Sequence, residues 1–229
     1  MIEVLDHGYV RLVDSMGSDL SVVRAARVSY DAEWRAGQDQ GSDHKLIKYL
    51  WNNKHTTPFE AVEFQFEVKA PIFVFRQWHR HRTWSYNELS ARYKELPKEF
   101  YFPKLEDIGI QSKNNKQARD TTVVWEEDPF NTREDQLNAM KESCDSQYQL
   151  YEWLLNNDWP RELARSVLPL NIYSHMFAKV DLKNLLHFLV LRCDPHAQYE
   201  IRVYADAIAK LIEPIVPECI SAWKANPTP

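Results

Sequence analysis

Glycine is scarce in this chain, and the scarcity narrows its chemistry. Five glycines occur in 229 residues (Gly8, Gly17, Gly37, Gly41 and Gly109), and none follows Gly109. Neither a G-x-G-x-x-G nor a Walker-type loop can be assembled from them, which excludes the usual main-chain cradles for phosphate. A bound nucleotide must then be gripped largely by side chains. Cysteine is scarce as well. Cys144, Cys193 and Cys219 are odd in number and lack metal-type spacing, so a reduced, cytoplasmic protein without a metal site is expected. No run is long and apolar enough to span a bilayer. The opening MIEVLDHGYV has neither basic nor apolar leader character, so no signal peptide is expected. Internal repeats and low-complexity tracts are absent.

Arginine, by contrast, is concentrated. From Lys69 to Lys94 there are six Lys/Arg and one carboxylate, Glu88, in a chain of formal net charge -5. Guanidinium presents a planar fork of donors that suits phosphate or carboxylate and stays charged at any working pH. If 88–92 is extended, Glu88, Ser90 and Arg92 share one face spanning about 13 Å. That face reads as one wall of a pocket for a polar anion.

Hydrophobic residues make up 44% and charged residues 27%, ordinary values for a single globular domain over 1–229. A first strand is expected over 1–12 and a short helix over 20–28, with a loop over 34–42. A helix over 43–53 follows, with Leu46, Ile47, Leu50 and Trp51 on one face, and His55-Thr-Thr-Pro58 ends it. Over 62–69, Val62, Phe64, Phe66 and Val68 alternate with polar residues, the mark of a half-buried strand. Pro71 opens a helix to about His79, placing Arg76 and Arg80 four apart. The polar stretch 95–128 reads as an exposed, mobile loop. Thr132-x-x-Asp135 is a capping box for a long helix whose stripe is Leu137, Met140, Cys144, Tyr148, Tyr151 and Leu155. Pro160 starts a short helix that delivers Arg165. A strand over 170–179 has Leu170, Ile172 and Met176 on one face. Asp181 caps a leucine-rich helix with Arg192 at its exit, and Asp194-Pro195 opens a last long helix. Helices and strands mix without a βαβ rhythm, so the fold class is α+β.

Each striking residue also has an ordinary reading. Arginines beside His79 and His81 would repel a metal ion, so stacking or solvent-facing histidines are favoured. Ser90 lacks a nucleophile elbow and reads as a hydrogen-bond donor to phosphate. Cys193 adjoins Arg192 but reads as packing. Trp78, Trp84, Tyr86 and Tyr93 among basic residues would suit single-stranded nucleic acid. The acidic remainder of the chain argues instead for a compact anionic small molecule, with no nucleic acid and no membrane as partner.

Arg80-His81-Arg82, seven residues, then Ser90 resembles the R-H-R-x7-S signature of the flavin-dependent thymidylate synthases. H-T-T-P-F-E from His55, A-R-S-V-L-P-L-N from Ala164 and L-R-C-D-P-H-A-Q-Y-E-I from Leu191 are similar to further family blocks, in family order. The resemblance implies a central antiparallel sheet flanked by helices and a homotetramer with shared active sites. It implies methylation of dUMP to dTMP with 5,10-methylenetetrahydrofolate as carbon donor and NADPH-reduced FAD as hydride source. By position it places dUMP against Gln77, Trp78, His79, Arg80, Glu88, Leu89, Ser90, Ala91, Arg92, Arg165 and Arg192. FAD falls against Thr57, Arg80, His81, Arg82, Glu88, Asp181, Leu182, Lys183 and His187. Some members carry Asn-x-Arg at Asp181-Leu182-Lys183 and Asn at His187; Lys183 keeps the charge without the fork. Thr57 keeps the hydroxyl of a family serine.

The chain lacks the proline-cysteine nucleophile segment of the cysteine-dependent synthases. A guanidinium can instead stabilise negative charge developing on the uracil ring without covalent attack, and the resemblance implies Arg192 as the catalytic residue in that role. Two competing readings are a non-catalytic nucleotide- or single-strand-binding module and a flavoprotein acting on another pyrimidine nucleotide.

Overall fold

A computed structural model of the chain describes residues 1–123, 128 and 131–227. The chain opens as a hairpin, β1 (Ile2–Val4) and β2 (Gly8–Met16), where one strand was expected; Leu5, at positive φ, makes the turn. Gly8 is required there, since a Cβ would lie 2.0 Å from the Tyr204 hydroxyl. Helix α1 (Asp19–Arg27) follows. Helix α2 (Gln40–Asn52) begins earlier than the apolar pattern suggested, because Asp39 caps it by accepting from Ser42 N at 3.1 Å. The expected 34–42 loop is therefore shorter.

Strand β3 (Glu63–Pro71) runs straight into α3 (Ile72–Trp78), and β4 (Ser85–Glu88) returns. After α4 (Leu105–Ile108), β5 (Ile110–Gln111) and β6 (Arg119–Asp120) come the long α5 (Arg133–Asn156) and the short α6 (Arg161–Ala164). The chain ends with β7 (Tyr173–Asp181), α7 (Leu182–Arg192), α8 (Tyr199–Ile212) and α9 (Pro217–Ala225). Among the described residues β1-β2-β3-β7-β4 form one antiparallel sheet, which is the expected α+β architecture.

Alternation along β3 buries Phe64, Phe66, Val68 and Ala70 on one face. The leucines of α7 and Ile201, Tyr204 and Ile208 of α8 close over that face with Trp78 and Trp84. Large buried aromatics of this kind cost about 3–5 kcal/mol each to truncate to alanine. A second, smaller core joins Ala91, Leu96, Phe100, Tyr148, Tyr151, Ala164 and Ile172, and so fixes α5 and α6 beside α3.

Several expectations need correction. Residues 95–101 are not a loose loop: Leu96, Phe100 and Tyr101 are buried, and Tyr148 Oη donates to Leu96 O at 2.8 Å. Residues 124–127, at the far end of that stretch, lie outside the described residues. The Thr132–Asp135 capping box forms, but Met140 is exposed and Leu154 is buried where Leu155 was expected. Leu170 is exposed, because β7 starts only at Tyr173. Asp194 makes a turn, accepting from His196 N and Nδ1, and the helix after it starts at Tyr199. Helix α9 was not anticipated, although Pro217 sits in its first turn and Asp19 caps it through Glu218 N and Cys219 N.

Candidate functional site

The β3–α3 junction carries the basic stretch onto the sheet's edge and splits its side chains between two regions. Consecutive residues on a helix point about 100° apart. Arg76 and Gln77 therefore face different ways, and each belongs to a different region.

Arg76 faces a cleft of about 620 Å³ between α3, the end of β4 and the α6 turn. His79, Glu88, Leu89, Ser90, Ala91, Glu162, Arg165, Ser166 and Ser174 also line it, with apolar walls from Ile72, Phe75, Leu96, Leu168 and Leu170. Thus Arg165, far away in sequence, converges with Glu88 and Ser90. Glu88 Oε1 accepts from Ser174 Oγ at 2.8 Å, which orients the carboxylate. Arg165 donates through Nε to Glu162 O at 3.4 Å, and among the described residues it has no other hydrogen bond or ion pair and Arg76 has none. Two guanidinium groups without a carboxylate partner among the described residues, lining one cleft with a serine, can take a phosphate.

The shared face of Glu88, Ser90 and Arg92 does not form. Strand β4 ends at Glu88, and Tyr93 N and Lys94 N both bond to Ser90 O, so the chain turns at Ser90. Arg92 swings out beside Glu162 at 3.9 Å and does not line the cleft. Arg80 does not line the cleft with Arg76. Helix α3 ends at Trp78, and Arg80 N bonds to Gln77 O and His81 N to Trp78 O in the tighter turn that follows.

Gln77 faces the second region. There Arg192, half-buried at the end of α7, donates through Nε to His81 Nε2 at 3.0 Å and through Nη2 to Gln77 O at 3.3 Å. His81 is buried against Phe188 and His187. Burial, then the Arg192 and His187 charges, push its pKa down from 6.5 to about 4. His81 is thus neutral and able to accept. Burial also lowers the pKa of Arg192. Arg192 does not line the cleft of its own chain.

The remaining candidates divide clearly. Trp78 is fully buried, so it can meet a ligand only through its main chain. Arg80, Arg82, Thr57 and His187 are exposed, and neither Arg80 nor Arg82 has a side-chain partner among the described residues. Exposed guanidinium groups and a hydroxyl have the chemistry to hold the diphosphate of a dinucleotide such as FAD. The 181–183 segment offers little more. Asp181 caps α7 and holds Asn184 through both oxygens, Leu182 is fully buried, and Lys183 pairs with Glu60.

The thiols have no visible role. Cys144 and Cys219 are buried, and burial with Asp206 beside it pushes the Cys193 pKa up. No group of three potential metal ligands occurs among the described residues, and no helix among them is long and apolar enough to cross a membrane. Ser174 was missed from sequence. A serine among Met176, Ala178 and Val180 on the buried face of β7 was the available signal.

Three comparisons bear on this geometry. Residues 11–218 match the family model described as thymidylate synthase complementing protein. The chain is 48% identical over 221 residues to a flavin-dependent thymidylate synthase of Wolbachia pipientis, covering 96% of this chain and 75% of that protein. It is 49% identical over 224 residues to one from Thermus thermophilus, covering 98% and 77%. Among solved structures, a UMP/dUMP methylase from Streptomyces cacaoi bound with 5-Br dUMP superposes with a TM-score of 0.84 at 36% identity, covering 98% of this chain and 97% of that one.

Proposed function

The chain belongs to the flavin-dependent thymidylate synthase family, and from that premise we propose that it methylates dUMP at C5 to give dTMP. The carbon donor in this reading is 5,10-methylenetetrahydrofolate. Thr57, Arg80, Arg82 and His187 would hold FAD, which, reduced by NADPH, would supply the hydride. The observation that carries the reading is the cleft where Arg76, Glu88, Ser90 and Arg165 converge without a phosphate-binding glycine loop.

In this reading the cleft grips the nucleotide's phosphate, and Arg192 faces the pyrimidine. Uracil is a weak nucleophile at C5, and a guanidinium near N3 and O4 stabilises negative charge developing on the ring. Arg192 cannot act as a base, so its contribution is electrostatic. Its two bonds, to neutral His81 and to Gln77 O, hold the fork rigid and leave further N–H groups for the ring. Rigid donors in a half-dry setting stabilise charge without reorganising, which is where a guanidinium contributes most.

Because Arg192 does not reach the cleft of its own chain, we place the complete site between subunits of a homotetramer. The protein is read as cytoplasmic. A second pyrimidine substrate has one specific support: the Streptomyces cacaoi UMP/dUMP methylase was also solved bound with 5-Br UMP. The test is a flavin spectrum of the purified protein, with and without dUMP, followed by product analysis with dUMP and UMP. A yellow protein that NADPH bleaches and that yields dTMP is expected. A colourless protein that binds dUMP without turnover would leave a binding module instead.

A further inference from the structure

Glu200, the second residue of α8, is a carboxylate only 2% exposed. Its Oε1 accepts from Tyr101 Oη at 3.0 Å and Arg119 Nη1 at 2.9 Å, and its Oε2 accepts from Gln198 Nε2 at 2.8 Å. Gln198 Oε1 in turn accepts from Gln77 Nε2. A glutamine amide has ends of nearly equal size and opposite polarity, so its sense is set by its partners. A carboxylate beside a guanidinium only accepts, and it therefore selects the nitrogen of Gln198 and turns that oxygen toward Gln77. The oxygen likewise selects the nitrogen of Gln77. Among the described residues Gln77 keeps Oε1 and one N–H uncommitted, in a fixed sense, while its main-chain oxygen holds Arg192.

We propose that Glu200 is a positioning residue that sets, through Gln198, which way the Gln77 amide faces the nucleotide. The inference deepens the dUMP reading and rests on it, because Gln77 must meet dUMP for its sense to matter. Glu200 also ties α8 to Tyr101 and to the β5–β6 hairpin through Arg119, so a purely structural role is the alternative to separate.

Two substitutions make that separation. Glu200→Gln keeps the shape but adds donors, which frees both amides to flip; Gln198→Met breaks the relay and leaves the Glu200–Arg119–Tyr101 contacts intact. Calorimetric titration with dUMP is expected to show a loss of about tenfold in affinity for each, the scale of one hydrogen bond. The double variant should lose no more than either alone, since both cut one relay. Tm should fall in Glu200→Gln and hold in Gln198→Met. Wild-type dUMP affinity in Gln198→Met, or losses that add in the double variant, would overturn the proposal while leaving the dUMP site standing. A wild-type chain that does not bind dUMP would overturn both.

Discussion

The open cleft and the His81–Arg192 cluster use the same side chain in opposite ways. In the cleft Arg76 and Arg165 stand exposed and without carboxylate partners. Solvated, they suit a phosphate that arrives with its charge already formed. Arg192 is half-buried, and its Nε and Nη2 bonds go to a neutral ring nitrogen and a main-chain oxygen. Neither partner cancels its charge. A cation kept unneutralised away from water is costly to hold, and the low local dielectric amplifies its field on any charge that develops beside it. Exposure suits binding, and burial suits stabilising a transition state.

The largest effect should come from the buried cluster. Arg192→Ala is expected to lower the rate of dTMP formation by about 10²–10³, the scale for one preorganised donor. Flavin reduction by NADPH should change far less, because in the proposed reading it precedes the uracil chemistry. Following the two half-reactions separately checks this, and a variant impaired only in flavin reduction would remove Arg192 from the methylation step. The cleft should respond more mildly. Ser90→Ala is expected to weaken dUMP binding by roughly 0.5–3 kcal/mol, as for a hydrogen bond to a neutral or charged partner. Turnover should remain measurable, and a trapped covalent adduct on Ser90 would contradict its role as a binding hydroxyl.

A smaller effect concerns pH. Unfolded His81 takes up a proton near 6.5, whereas in the fold it resists protonation down to about 4. Between those values the unfolded chain binds more protons, so the contribution is full above 6.5 and is lost as pH falls through the window. Protonation would also remove the acceptor of Arg192 Nε. Urea midpoints measured at about pH 7.5 and about pH 5 should therefore fall less for His81→Asn than for the wild type. Equal falls would mean that His81 is not the group responsible.

The elements with clean periodicity were legible from sequence. The β3 alternation, the Thr132–Asp135 box and the Asp181 cap all appear where the pattern put them. Of the site, the convergence of Glu88, Ser90 and Arg165 followed from the family blocks, but its geometry did not. The turn at Ser90 is set by main-chain bonds from Tyr93 and Lys94, which no side-chain pattern announces. The separate facings of Arg76 and Gln77 follow from the helical step, but which face meets the cleft depends on how α3 packs, with Trp78 stacked on Phe188 at a centroid distance of 5.0 Å. Helix α9 escaped notice because its seam, Cys219, Ile220, Ala222 and Trp223, packs against elements from the other end of the chain.

That the two regions meet only between chains is the central claim, and mixed oligomers test it most directly. Arg165→Ala disables the cleft and Arg192→Ala disables the buried cluster. Co-expression with two different tags and tandem purification would isolate assemblies that contain both. Randomly mixed subunits should recover about a quarter of wild-type activity, because one site in four then draws both intact arginines from different chains. Mixed assemblies no more active than either parent, or a fully active monomer, would contradict the shared site.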